Sequence, residues 1–387
     1  MLKHFLQADL KKDKELKALY QLIHKKGPTT KVWLLEQTKM KQTTLTRMMD
    51  ELLGKGLIRE CGFGESSGGR PPTLYDVDAG NHFIIGIDIT RIQTRVVLTD
   101  LRLQQIEKKS FAMTAEHTPE RTVSEIRSII SGFMENYQFT LEELLGIGIG
   151  AVGPLDRNTG VILCPEAFYA PGWVHVPIVQ QLQEAFPVQV LLRNGAHTAI
   201  IGESYQEPFA GENILYCISG EGLRCGVMTN GELLQNKTGD VSAYDHMIIE
   251  VNGRPCVCGK KGCITSYMSH KAIRQELSRL LNKRSITIEE MMKMIQQRHP
   301  AAVQAVMHSA YYYGVGIANM VNLLQPDVVM LSGALIYGYP EYYNAVIHAA
   351  LQHMHDIERG HVTFTQGVLK SDAAAVGAAV LAFQSYF

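Results

Sequence analysis

Three thiols fall within eight residues, Cys256-Val257-Cys258-Gly259-Lys260-Lys261-Gly262-Cys263, and His246 precedes the first of them by ten positions. Three thiolates and one imidazole make a closed tetrahedral donor set for Zn²⁺. A set with no position left for water is structural, not catalytic. Gly259 and Gly262 permit the tight turns that gather three sulfurs on one ion, and Lys260 and Lys261 offset part of the thiolate charge. A reduced cysteine cluster or a redox pair, with His246 elsewhere, is the competing reading of the same spacing.

A second group of chemically suited residues lies near the amino end. Gln42, Thr43, Thr46 and Arg47 share one side of a helical stretch whose start carries Lys39 and Lys41. Small hydroxyls, an amide and cations near a helix N-terminus suit entry into the major groove of duplex DNA, where they reach phosphates and base edges. Arg70, in Gly69-Arg70-Pro71-Pro72, is placed to meet a phosphate or a narrow minor groove. Charge agrees with this. Residues 1–80 hold 14 Lys and Arg against 10 Asp and Glu, whereas the whole chain has 37 against 38. A basic head on an acidic body meets a polyanion through the head. The competing reading is a packing or dimerisation module whose cations are only solvated.

The elements that must position these residues follow from periodicity. Leu16, Leu19, Tyr20 and Ile23 recur at helical spacing before Gly27-Pro28. A short helix covers Val32–Gln37, and Leu45, Met48, Met49, Leu52 and Leu53 form the apolar stripe of a third helix. Two short strands flanking the Gly/Ser-rich segment 64–72 complete a winged helix-turn-helix over residues 1–80. Beyond it the pattern changes to strands alternating with helices. Phe83–Ile89 and Arg95–Asp100 predict a hairpin, Thr122–Asn136 a helix and Leu144–Val152 a buried strand. Val188–Leu192 then predicts a strand and Ala196–Tyr205 a helix. Ile214–Ser219, Gly226–Thr229 and Asp327–Ser332 predict strands, and Tyr311–Leu324 and Ser371–Phe387 helices. The repeated order predicts an α/β body of two similar lobes with a cleft, over residues 81–387.

Arg70-Pro71-Pro72 after a winged helix, the run Gly146–Pro154 (GIGIGAVGP) and the His…Cys-x-Cys-Gly-x-x-Gly-Cys pattern together resemble the ROK family of repressors, open reading frames and kinases, in its repressor branch. The resemblance spans nearly the whole chain, from about Leu16 to Phe387. It implies an actin/hexokinase-like (ribonuclease H-like) ATPase fold for the body, homo-oligomerisation as a dimer or tetramer, and zinc at the Cys/His cluster. It also supplies a test for kinase activity. The family's catalytic base is an Asp directly after an Asn; here Asn194 is followed by Gly195, which accepts no proton. Losing a general base alone costs roughly 10² to 10⁴ in rate. The phosphate loop Asp-x-Gly-Gly-Thr-Lys reads Asp88-Ile89-Thr90-Arg91-Ile92-Gln93, so side chains crowd the backbone cradle. Ser219-Gly220-Glu221-Gly222 is expected to point a carboxylate at any triphosphate. No ATP binding and no phosphotransfer are expected.

The resemblance also implies a sugar-recognition set, and this chain keeps only part of it. Asn194 and His246 remain, while Ala243 and Thr265 stand where carboxylates belong. Gly153, Asn194, Asp245, His246 and Thr265 are the expected effector contacts. Since each charged hydrogen bond is worth roughly 1.5–3 kcal/mol, either the effector differs from a plain hexose, as a modified sugar or sugar phosphate does, or the site is vestigial. Trp173 is expected to anchor a loop rather than stack on a sugar, and His175 and His197 to be structural. No run approaches 18 apolar residues, so no membrane span is expected, and the cysteine usage suits a reduced cytoplasm. The sequence therefore predicts a cytoplasmic transcriptional regulator, acting as a repressor of carbohydrate genes. It binds double-stranded operator DNA and a small effector, possesses a structural zinc, and lacks enzymatic activity. A sugar kinase with a fused head and an effector-independent regulator governed by a protein partner are the rival readings.

Overall fold

The computed structural model describes residues 5, 11–65, 70–165, 167–235, 242–356 and 360–387. The head opens with helix Lys11–Lys26, which buries Leu16, Leu19, Tyr20 and Ile23. It stops at Gly27-Pro28, since proline carries no N–H to continue the ladder. Thr30 caps the next helix, Lys31–Thr38, its hydroxyl accepting from the Trp33 N–H at 3.2 Å. Helix Gln42–Gly54 buries Leu45, Met48, Met49 and Leu52, as its spacing requires. Strands β1 (Thr29–Thr30), β2 (Ile58–Phe63) and β3 (Thr73–Val77) form one antiparallel sheet in the order β1-β3-β2. This is the arrangement of a winged helix, with Gly64 and Pro72 still hydrogen-bonded at the base of the wing at 2.8 Å. Segment 66–69 of the sequence-predicted wing lies outside the described residues.

The body consists of two lobes built to one plan. In the first, β4 (Phe83–Ile89), β5 (Gln93–Thr99), β6 (Gln105–Ala112), β7 (Leu144–Ala151) and β10 (Gln189–Asn194) stand in the order β10-β7-β4-β5-β6, while β8 (Leu155–Asp156) and β9 (Val161–Ile162) form a separate antiparallel hairpin. The second has β11 (Ile214–Ser219), β12 (Leu223–Thr229), β13 (Glu232–Leu233), β14 (Val328–Ser332) and β15 (Thr363–Thr365) in the order β13-β12-β11-β14-β15. In both, the first strand pairs antiparallel with the second and parallel with the fourth. Helices Pro119–Asn136 and Ile178–Ala185 cover the outside of the first sheet, and Pro300–Leu324 and Pro340–His353 the second.

Helices Gly195–Ser204 and Ala373–Gln384 pack against each other and against the first sheet. The GIGIG run makes this possible. A Cβ at Gly148 would lie 1.7 Å from the Ala378 carbonyl oxygen. The alternating glycines thus let an alanine-rich helix lie on the sheet at backbone distance.

Several elements differ from expectation. β6 was not predicted, because as an edge strand carrying Lys108 and Lys109 it is largely exposed and shows no apolar alternation. Helix Pro300–Leu324 is 25 residues long and starts eleven earlier than its aromatic run suggested. Trp173 is buried as an anchor, its Nε1 donating to the His117 carbonyl at 3.0 Å while its ring stacks on Phe168. Among the described residues no helix is long and apolar enough to cross a membrane.

Head and body share one continuous apolar core. Leu16, Tyr20 and Ile23 lie in the same cluster as Leu101, Leu103, Ile201, Phe209 and Phe383 of the body. His24 sits in this seam at 2% exposure. Its Nε2 contacts the Leu101 carbonyl, its Nδ1 lies 2.7 Å from the Tyr205 hydroxyl, and its ring stacks on Phe383. Arg102 binds both the His24 carbonyl and the Asp76 carboxylate. Burial, and then the nearby Arg102 charge, hold the His24 pKa down at about 4. An unfolded imidazole takes its proton near 6.5. Between these values the unfolded chain binds more protons, so stability falls as the pH drops from 6.5 towards 4. We expect the melting temperature to fall more steeply over this range in the wild type than in His24→Gln; equal slopes would remove His24 from the acid response.

Candidate functional site

The cysteine cluster is held by short backbone pairings. Ile248 pairs with Cys263 and Pro255 with Lys261, and the Cys256 N–H donates to the Lys260 carbonyl at 2.8 Å. His246 ends the 3₁₀ turn Ser242–His246. The donor atoms of His246, Cys256, Cys258 and Cys263 all lie within 4.8 Å of one another, with Cys256 Sγ 3.5 Å from His246 Nδ1. Gly262, at φ +78°, is required here, because a Cβ would meet the Glu250 carbonyl at 1.8 Å.

Arg254 ties the loop to its lobe, pairing with Glu276 at 3.2 Å and lying over the Tyr267 ring. Burial, then the two neighbouring sulfurs, push the Cys263 thiol up to about 12, whereas the Lys260 N–H holds exposed Cys258 below the usual thiol range. Crowded sulfurs with no counter-charge at their centre are what a soft dication neutralises, and the donor set fits Zn²⁺. Measured metal content is expected to be about one ion per chain in the wild type and much less in Cys258→Ser; equal content would exclude the cluster as a metal site.

The head presents the groove-facing set on the open side of helix Gln42–Gly54. Lys39, Lys41, Gln42, Thr43 and Arg47 are exposed and Thr46 is half-buried. Gln42, Thr43, Thr46 and Arg47 line one open concavity of about 460 Å³. Asp50, missed in the sequence, completes it, one turn beyond Thr46 and Arg47. Lys39 is held at φ +54° by its N–H donating to the Leu35 carbonyl, which turns the chain between the two helices. Arg70 is exposed beside the wing.

In the cleft region, Asn194 ends β10 and caps helix Gly195–Ser204, its Oδ1 accepting from the Ala196 N–H at 3.0 Å. Gly153 lies against it, since a Cβ there would stand 3.0 Å from Asn194 Nδ2. A Cβ at Gly195 would meet only Asp88 Oδ1, at 3.7 Å, and the Ala151 carbonyl. Asp88 is therefore the carboxylate that faces Gly195. Its other oxygen pairs with Arg95 at 3.2 Å, and Arg95 lies 3.9 Å from Asp372, which Lys108 also contacts. Burial raises the Asp88 pKa to about 6 against the pull of Arg95.

The turn after Asp88 closes on itself. The Thr90 hydroxyl donates to the Gln93 carbonyl at 2.7 Å and accepts from the Gln93 N–H.

Two sequence expectations are modified by the second lobe. Glu221 turns to Arg274 at 3.5 Å and His270 at 3.8 Å, because helix His270–Leu280 runs beside it. Asp245 is buried and committed. Its two oxygens accept from the Leu223 N–H and from Arg224. Thr265 is half-buried at the start of the short helix Thr265–Met268. His246 belongs to the sulfur cluster.

A cationic group beside Asn194 was not foreseen. Arg193 is half-buried and His197 is 5% exposed. Burial, then Arg193 and Arg157, hold the His197 pKa down at about 4, and Arg193 is itself lowered by burial and Arg157. Arg193 and His197 stand four residues apart in sequence, a spacing that could have drawn attention to them.

A winged helix fused to a two-lobed body of duplicated α/β lobes is the class that this architecture defines. The chain belongs to the ROK family, whose profile matches residues 84–385. Relatives include the xylose repressor of Bacillus subtilis, 26% identical over 85% of this chain and 84% of the relative. The DNA-binding transcriptional dual regulator NagC of Escherichia coli is 24% identical over 84% and 82%. A crystal structure of a ROK family transcriptional regulator, a homolog of the E. coli MLC protein, covers 96% of both chains with a TM-score of 0.77 at 20% identity. The ROK hexokinase of Thermus thermophilus covers 78% of this chain with a TM-score of 0.65 at 24% identity. The body shares its fold with sugar kinases, and the relatives matched over most of their length include a xylose repressor and the dual regulator NagC.

Proposed function

We propose that this protein is a DNA-binding transcriptional repressor of carbohydrate genes, whose body takes a small effector and transfers no phosphate. The observation that carries the proposal is the two-faced helix Gln42–Gly54. One side is buried among Leu45, Met48, Met49 and Leu52, while the other offers Gln42, Thr43, Thr46 and Arg47 to solvent, flanked by Lys39 and Lys41. A packing module would bury both sides. Two heads in a homodimer or homotetramer would read two half-sites of a palindromic operator. The repressor relatives support the same reading.

The reading of the body as inactive rests on Gly195 and on the self-closed turn at Thr90. Asp88 is no replacement base, because it is the aspartate that opens the degenerate phosphate loop, and Arg95 already neutralises it. Zinc at His246, Cys256, Cys258 and Cys263 would brace the second lobe. Gly153, Asn194 and Thr265 remain available to an effector, whereas Asp245 is taken by Arg224.

With operator fragments selected from genomic DNA, Arg47→Ala is expected to weaken binding by about 1–3 kcal/mol, roughly 5- to 150-fold in Kd, and to flatten the salt dependence. Unchanged affinity would remove the helix from the groove. Incubation with ATP and a hexose panel is expected to release ADP no faster than buffer does; sustained release would establish the kinase reading instead.

A further inference from the structure

We propose that the buried seam around His24 makes the protein read the distance between the two half-sites of its operator. His24, Tyr205 and Phe383 are then specificity-determining residues, although none of them touches DNA. The inference deepens the reading of two heads on one operator and rests on it.

The head is attached to the body twice. Residues 78–82 join β3 directly to β4. This link is itself tied down, the Asp78 N–H donating to the Leu57 carbonyl at 3.1 Å and Asn81 Nδ2 to the Asp78 carboxylate at 3.1 Å. The second attachment comes from helix Lys11–Lys26, far from that link in the chain. Its last turn is enclosed by the body, where the Leu101 carbonyl, the Tyr205 hydroxyl at 2.7 Å and the Phe383 ring at 4.2 Å all meet His24. One turn earlier, Tyr20 stacks on Phe387 at 6.1 Å. Just past the helix, Gly27 leaves room for Arg102, since a Cβ there would stand 2.6 Å from its Nη2. Arg102 joins the His24 carbonyl to Asp76 of β3, so the two attachments are braced against each other.

A head held at one point pivots. Held at two, one of them buried and aromatic, it keeps a single orientation. Leu16, Leu19 and Tyr20 share their core with Leu45, Met49 and Leu52 of helix Gln42–Gly54, so the element locked in the seam carries the groove-facing residues with it. The exposed Lys26–Glu207 pair beside the seam adds little, because solvent screens it. Two such heads on one symmetric assembly present their reading helices at a fixed separation, whereas major grooves on one face of a duplex recur every turn, about 34–36 Å. A half-site moved off the matching distance is reached only by drawing His24 out of its pocket. A tethered head would simply follow it.

The test compares the affinity of the full-length protein for the operator selected from genomic DNA with that for two derivatives. These carry about 5 or about 10 extra base pairs between the half-sites, roughly half a turn and one turn. The wild type is expected to bind both derivatives at least tenfold more weakly than the parent. In Tyr205→Phe, which removes one hydroxyl, and in Phe383→Leu, that ratio is expected to shrink at least threefold. A variant that is merely less stable binds all three DNAs more weakly and leaves the ratio unchanged; that result, in variants folded by circular dichroism, would overturn the assignment. Equal affinity of the wild type for the three DNAs overturns it whether or not the variants fold, and leaves the DNA-binding reading standing. Binding to no duplex at all overturns both.

Discussion

The burial of His24 between the head and the C-terminal ends of the body's two central helices is the contact on which the rest of this structure depends. One imidazole lies against Leu101 from the turn between β5 and β6, Tyr205 from the end of helix Gly195–Ser204, and Phe383 from the end of helix Ala373–Gln384. A winged helix of this size buries little apolar surface alone. Here Leu16, Tyr20 and Ile23 complete their core with body residues, so the head is docked and not merely tethered. Each such side chain contributes roughly 1.5–3 kcal/mol on burial. A few of them suffice to fix the orientation of the groove-facing helix relative to the lobes.

The helix Gly195–Ser204 links the two ends of the molecule. It begins at Asn194, where the cleft residues gather, and its C-cap Tyr205 touches His24 of the head. Gly202 and Gly377 let helix Ala373–Gln384 lie against it at backbone distance. Asp88, Arg95, Asp372 and Lys108 form a chain of ion pairs along the first sheet.

The sulfur cluster is a different kind of constraint. It ties a loop of the second lobe that has few apolar contacts of its own, and leaves Val251 and Val257 exposed. A metal held there would supply by coordination what burial does not. The same logic explains why Gly262 sits against the Glu250 carbonyl, since convergent thiols need a backbone tighter than a side chain allows.

Much of this was legible in the residues themselves. The heptad-like stripe of Leu45, Met48, Met49 and Leu52 fixed one face of a helix and thereby the other. The Cys/His spacing fixed a donor set, and Gly195 after Asn194 raised the expectation of a missing base, because these signals are local in sequence. What depended on distant pairings was decided only by the fold. That Asp245 belongs to Arg224, that Glu221 turns to Arg274, and that Asp88 faces Gly195 follow from sheet register and helix packing, which bring together residues far apart in the chain. The docking of the head through His24 was equally hidden, for nothing in a lone histidine announces which carbonyl, hydroxyl and ring will enclose it. Sequence determines what each residue is able to do, and tertiary structure determines which partners have already claimed it.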